Sequence, residues 1–283
     1  MRVPTELRLA LAASLTSCVA FSAGCSDILG ADLGRYVDRE DKHFSTTSQP
    51  VVALATFDGP IEIRPWDKPE VQVTIEKRGP DKSSVSAIEV HAEQTGDKVS
   101  VDVTAPKRSI GIMFGFSRSA KLIVSVPVSA DVSARSGDGS IDIERISGRL
   151  ELRSGDGSIR ARGLSGDVTV QTGDGSITLG GTFTGLHART GDGSVTIRIA
   201  SGAAASSAWD ISTGDGSVTL ELPDGFGAEL DAHTGDGGIH LNDLTLSDVT
   251  GQLGRNTVRG RLGSGGPSVK VRTGDGSITL RRS

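Results

Sequence analysis

From Pro50 onward the chain alternates apolar and polar positions in short runs. Val51, Ala53 and Ala55 form one such run, and Ile61 and Ile63 the next. Val71, Val73 and Ile75, then Ile88, Val90 and Ala92, then Val99, Val101 and Val103, then Leu122, Val124 and Val126 continue the pattern. An apolar residue at every second position predicts a strand with one buried face. Gly, Pro and Asp punctuate the runs, and no long amphipathic helix is present. The expected fold class is therefore all-β.

From about Asp131 a repeat takes over. Ser136-Gly-Asp-Gly-Ser-Ile141 recurs at Ser154–Ile159, Thr172–Ile177, Thr190–Val195, Thr213–Val218, Thr234–Ile239 and Thr273–Ile278. The turn aspartates are Asp138, Asp156, Asp174, Asp192, Asp215, Asp236 and Asp275, spaced by 18, 18, 18, 23, 21 and 39 residues. The residues six and four before each Asp are all apolar, from Val132 and Ala134 to Val269 and Val271. So are those three and five after it, from Ile141 and Ile143 to Ile278 and Leu280. Each unit is thus two short strands joined at the Gly-Asp-Gly turn. A second turn lies halfway round, at Ser147-Gly148, Ser165-Gly166 and Thr184-Gly185. Strand, turn, strand, turn in 18 residues predicts one coil of a β-solenoid, with coils stacked about 4.8 Å apart. The alternative is an antiparallel β-meander or sandwich, because Asp-Gly is also a hairpin signal. Like residues in every column favour stacking. The 39-residue gap would hold two coils, one without its motif. The last strand, Leu280–Ser283, would be an open edge that invites pairing.

The beginning of the chain is of another kind. Arg2 and Arg8 flank Glu6, and Leu9–Ala20 is an apolar run too short to span a bilayer. Residues 1–24 therefore read as a signal peptide. Its end, Phe21-Ser-Ala-Gly-Cys25, resembles a bacterial lipoprotein box, with Ser22 where such boxes carry Leu. The resemblance implies acylation of Cys25, and Ser26 after it implies the outer membrane. Ordinary cleavage, leaving a soluble periplasmic protein, is the alternative. The chain has 2 Cys, Cys18 and Cys25, so removal of the signal leaves no pair for an internal disulfide. Residues 25–49 are polar and read as a lipid-anchored tether. Residues 50–130 are an N-terminal β region and 131–283 the repeat region.

Composition agrees with thin stacked layers. There are 38 Gly, but aromatic residues make up only 4%, fewer than a thick core needs. The net charge of −5, with both signs interspersed, argues against a nucleic-acid partner. The partners expected are the membrane, through the anchor, and a surface polymer or envelope protein.

The Thr-Gly-Asp-Gly-Ser-Ile repeats resemble a bacterial family of β-strand-repeat envelope proteins, the "putative adhesin" family. Phe57-Asp-Gly-Pro-Ile-Glu-Ile63 with Trp66-Asp67 and Val71-Gln-Val73 carries the same likeness. So do Val126-Pro127 leading into Val132, and Gly260–Gly266 before the last repeat. The resemblance covers roughly residues 50–283. It implies an envelope location and an adhesive or binding role, and it supplies no catalytic residue.

The repeated turn has three chemical readings. As turn chemistry, Gly supplies positive φ, and Asp accepts backbone hydrogen bonds as in an Asx turn. As a cation edge, stacked carboxylates about 4.8 Å apart repel by roughly 1 kcal/mol in water, and calcium would relieve them. The spacing departs from the calcium-binding β-roll, and calcium wants about six to eight oxygen ligands. In the third reading Arg135, Arg153, Arg189 and Arg272, three residues before their Asp, form an Arg–Asp stripe. His233 and His240 with Asp236 make a weak metal candidate. Ile110–Phe116 is an apolar loop, either a buried cap or an exposed contact. No nucleophile–base pair stands out, so the expectation is a protein without a catalytic site or cofactor. A glycan-active β-helix enzyme, with a paired-carboxylate cleft, is the remaining alternative.

Overall fold

An alternating strand that meets a tight corner every few residues has one economical way to bury its apolar side. It coils, and each coil pairs with the next. The computed structural model describes residues 36–106, 118–203, 205–251 and 256–283. The expected signal peptide, Cys25, the first part of the tether and the Ile110–Phe116 loop lie outside the described residues.

The strands before the repeats are β1 (Tyr36–Ser45), β2 (Val51–Thr56), β3 (Ile61–Trp66), β4 (Glu70–Gly79), β5 (Glu89–Thr95), β6 (Lys98–Thr104) and β7 (Ser119–Pro127). One short helix, α1 (Lys82–Ser86), joins β4 to β5. The repeats begin with β8 (Asp131–Ser136), β9 (Ile141–Glu144), β10 (Ser147–Ser154), β11 (Ile159–Gln171), β12 (Ile177–Arg189) and β13 (Val195–Ile199). Then come β14 (Trp209–Thr213), β15 (Val218–Leu222), β16 (Ala228–Thr234) and β17 (Ile239–Asn242). The last are β18 (Leu246–Gly251), β19 (Thr257–Leu262), β20 (Ser268–Thr273) and β21 (Ile278–Arg282).

The repeats stack in parallel, so the chain is a β-solenoid and the meander does not occur there. Leu150 pairs with Val132 on one side and Val168 on the other, one period apart. Ile159 pairs likewise with Ile141 and Ile177. Strands before the Asp corner make one face, and strands after it make the other. β11 and β12, each 13 residues long, run through the second corner without a break. The apolar columns meet between the faces in one continuous core from Phe44 to Leu280. A third buried column, Ile146, Leu164 and Phe183, closes the second corner. Each buried aliphatic side chain contributes about 1.5–3 kcal/mol against chain entropy.

The order of coils in space differs from their order in the chain at both ends. β2–β3 is clamped between β6–β7 and β8–β9. β20–β21 is clamped between β14–β15 and β16–β17. The described residues thus form nine stacked coils, and the last in the chain is the last but one in the stack. This corrects two expectations. The 39-residue gap holds no extra coil. Its residues form the antiparallel hairpin β18–β19, which caps β16. The chain end is no open edge either, because Leu280 lies between Leu220 and Leu241.

The other end is capped in the same antiparallel way. β5 covers β6, β4 covers β7, and β1 covers β4. Part of the expected tether is therefore a strand. Phe44 is its one buried side chain, and charges replace the apolar alternation. Lys77 of β4 holds Asp38 at 3.3 Å and Glu40 at 3.1 Å. Charged edges of this kind discourage pairing with other chains. The register of β2 is also opposite to the expected one. Val52 and Leu54 are buried and Val51 is exposed, because β2 pairs Val52 with Val132 and Leu54 with Ala134.

The clamped last coil is tied by charge as well. Glu221 of β15 is 8% exposed and is held by Arg198 of β13 at 2.9 Å and by Arg281 of β21. Burial pushes its carboxyl upward, but hydrogen bonds from Arg281 and Arg198 outweigh it and hold the group below its usual 4.5. A lowered carboxylate stabilises the fold above about pH 4.5, and that contribution is lost as pH falls through the folded value. Glu221→Gln is expected to cost about 1–2 kcal/mol at pH 7 and to flatten the acid side of the stability curve. Denaturation midpoints between pH 7 and pH 3 measure both effects.

Candidate functional site

The Gly-Asp-Gly corners stack on one edge of the solenoid. Their order along it is Asp58, Asp138, Asp156, Asp174, Asp192, Asp215, Asp275 and Asp236, as the strand register dictates. All seven predicted aspartates are thus brought into one column, and all seven are exposed. Asp58 is an eighth that the repeat pattern missed, because Phe57 and Pro60 replace the first Gly and the Ser of the motif. Its carboxyl is raised, first by burial and then by the charge of Asp138.

The glycines act differently from the expectation. None of the corner glycines after Gly59 in the stack, Gly137 and Gly139 onward, has a left-handed φ. They are needed because successive corners touch. A Cβ on Gly175 would lie under 3.0 Å from the Gly157 carbonyl, and one on Gly193 from the Gly175 carbonyl. Every corner glycine from Gly137 to Gly276 meets main chain of the coil beneath in this way. The positive φ belongs to the second corner instead, at Gly148, Gly166 and Gly181.

The hydroxyl two residues before each Asp is the corner's other half. Thr190 donates to the Gly175 carbonyl at 2.8 Å, and Thr213 to that of Gly193 at 2.8 Å. Thr273 donates to Gly216 and Thr234 to Gly276, both at 2.7 Å. The same hydroxyl accepts from its own coil, as when the Gly237 amide reaches Thr234 at 3.0 Å. Thr234 is 0% exposed. A buried hydroxyl that both donates and accepts costs little, and here it links each coil to its neighbour.

The aspartate side chains take no part in this network. Among the described residues, the seven turn carboxylates make no hydrogen bond, so the Asx-turn expectation is not met. The corner backbone is already paired coil to coil, as from the Gly274 amide to the Gly214 carbonyl at 2.6 Å. The arginine column does not pair with them either. Arg135 and Arg153 both hold Glu151, at 2.9 and 3.0 Å, and Arg272 holds Asp231 at 2.9 Å. Arg189 reaches Ser212 at 3.2 Å. These residues lie on the flat first face, where the nearest carboxylates belong to the same face.

His233 and His240 lie on β16 and β17, on different faces, and His233 Nδ1 pairs with Thr257 at 2.9 Å. Among the described residues no three His, Cys, Asp or Glu side chains converge as metal ligands would. No described helix is long and apolar enough to cross a membrane.

What the geometry defines is a β-solenoid whose coils are locked by a glycine–hydroxyl corner and whose exposed rows repeat in register. The Toastrack DUF4097 family model matches residues 52–205 and 130–281. The chain belongs to that family. No curated protein matches it. Similar solved structures include a "putative cell adhesion protein" from Clostridium sporogenes, 13% identical, covering 87% of this chain and 100% of that one, TM-score 0.39. A "putative adhesin" from Bacteroides fragilis is 17% identical, covers 86% and 96%, and has a TM-score of 0.48. Another, from Parabacteroides merdae, is 12% identical, covers 86% and 95%, and has a TM-score of 0.44.

Proposed function

We propose that this chain is a non-catalytic binding scaffold of the bacterial cell envelope, an adhesin in the broad sense. The observation that carries the reading is the register. Nine coils place like side chains in rows about 4.8 Å apart. The exposed Asp column and the row Thr178, Thr196, Thr219 and Thr279 are two of them. A fixed array of shallow polar rows suits a repeating polymer better than a single small substrate. The signal-like residues 1–24 and the acylation candidate Cys25 support export and anchoring, with the outer membrane as the expected location. In this reading the Asp column serves as a surface row rather than a calcium site.

The test is retention of the purified chain on isolated envelope polymers and on intact cells. Saturable retention supports the scaffold reading. A chain that binds neither contradicts it.

A further inference from the structure

A cleft lies away from the Asp edge, where the chain leaves β3 and β7. Its volume is about 350 Å3, within the range of small-ligand sites, about 300–1,000 Å3. Trp66, Pro127 and Val128 supply its apolar lining, and Asp67, Lys68 and Ser129 its polar lining. Parallel pairing of β3 with β7 sets Trp66 beside Pro127. Val128 is 52% exposed, one of few large apolar side chains among the described residues that are not hidden.

Trp66 is the telling residue. The chain has 2 Trp, and the other, Trp209, is fully buried in a cluster with Phe183 and Phe226. Trp66 is only half-buried. Its indole N–H donates to the Glu70 carbonyl at 2.7 Å, within the β3–β4 turn. That bond holds the ring in place and spends its one polar group. What the ring still offers a ligand is its π face, and the Lys68 ammonium already sits over it, 4.9 Å from the centroid. Such a face attracts positively polarised groups. Among the described residues, Lys68 has no carboxylate within ion-pair distance.

We infer that this cleft binds a sugar ring of a surface polysaccharide. The C–H face of a pyranose carries the weak positive polarity that the indole face attracts, and its hydroxyls suit Asp67, Lys68 and Ser129. An aliphatic ligand would leave those polar groups unused, and a purely ionic one would leave Trp66, Pro127 and Val128 unused. The Lys68 contact is exposed and exchangeable, so an arriving ring can take its place while the ammonium turns to a ring oxygen. The inference rests on the scaffold reading and deepens it, naming the ligand class and the point of contact.

The test is titration of the full chain with hexamers of glucose, of N-acetylglucosamine and of galacturonate, followed by tryptophan fluorescence and by saturation transfer to the sugar protons. At least one hexamer is expected to bind and to shift the emission. Trp66→Ala is expected to weaken that binding at least tenfold and to abolish the shift. Trp66→Tyr is expected to retain most of the affinity, and Lys68→Ala, an exposed change, to lower it severalfold without moving the denaturation midpoint. Failure of all three hexamers to bind overturns the inference. So does binding that Trp66→Ala and Lys68→Ala both leave unchanged. If the chain is still retained on envelope polymers in either case, the scaffold reading stands and only the cleft assignment falls.

Discussion

Gly175→Ala is expected to cost about 3 kcal/mol of stability, while Gly180→Ala, five residues along the same coil, is expected to be neutral or slightly stabilising. Both glycines lie outside the left-handed region, so conformational freedom does not separate them. Space does. A Cβ at position 175 would fall under 3.0 Å from the carbonyls of Gly157 and Asp156, and main chain cannot rotate away as a side chain can. Two coils would have to part, stretching the hydroxyl bond from Thr172 to the Gly157 carbonyl. Overpacking of this kind costs about 1–3 kcal/mol, with the broken ladder added. At position 180 the nearest atoms to a new Cβ are carbonyls 4.0 Å away. There the loss of unfolded-state entropy favours Ala by about 0.4–1 kcal/mol. Urea midpoints of the two variants decide it. Equal losses would mean that the corner glycines are present for some reason other than contact.

Leu280→Ala is expected to destabilise by about 3 kcal/mol and Leu241→Ala by about 1 kcal/mol. Chain order alone predicts the reverse, since Leu280 lies on the last strand in the chain. Stacking order decides instead. Leu280 is 0% exposed, with Leu220 on one side and Leu241 on the other. Leu241 is only partly buried, in the last coil of that face. A fully enclosed Leu→Ala costs about 2–5 kcal/mol because its surroundings cannot collapse, whereas a half-open site relaxes or fills with water. Thermal and urea unfolding of the two variants give the comparison. A larger loss for Leu241→Ala would place the last strand at the end of the stack.

Much of this fold is legible in the sequence. The columns from Val132 to Val269 and from Ile141 to Ile278 are apolar because each faces the core, and the like residues in every column favour parallel coils over a meander. The Asp column is legible for the same reason. Other features leave weaker marks. β1 alternates charges rather than apolar groups, so Asp38, Glu40 and Lys42 read as a tether although they lie on a capping strand. β2 is apolar at both parities, and only its neighbours β6 and β8 select Val52 and Leu54 for the core. The role of Gly175 depends on what lies one coil below, which no local pattern records. Clamping of β20–β21 leaves no local trace, because its columns match those of any other coil. The Trp66 cleft is assembled from the turns after β3 and β7, about sixty residues apart. Its one sequence signal is a tryptophan in a chain poor in aromatic residues.

The order of coils holds the chain's last coil inside the stack. Hydrogen exchange of the peptide covering residues 268–283 tests it most directly. Amides of β21 are expected to exchange as slowly as those of β15, because both strands are paired on two sides. The edge strand β17 should exchange sooner, as among the described residues it pairs with β21 alone. A C-terminal peptide that exchanges as fast as a fraying end, ahead of residues 239–242, would contradict the clamped arrangement and restore the simple stack that chain order suggests.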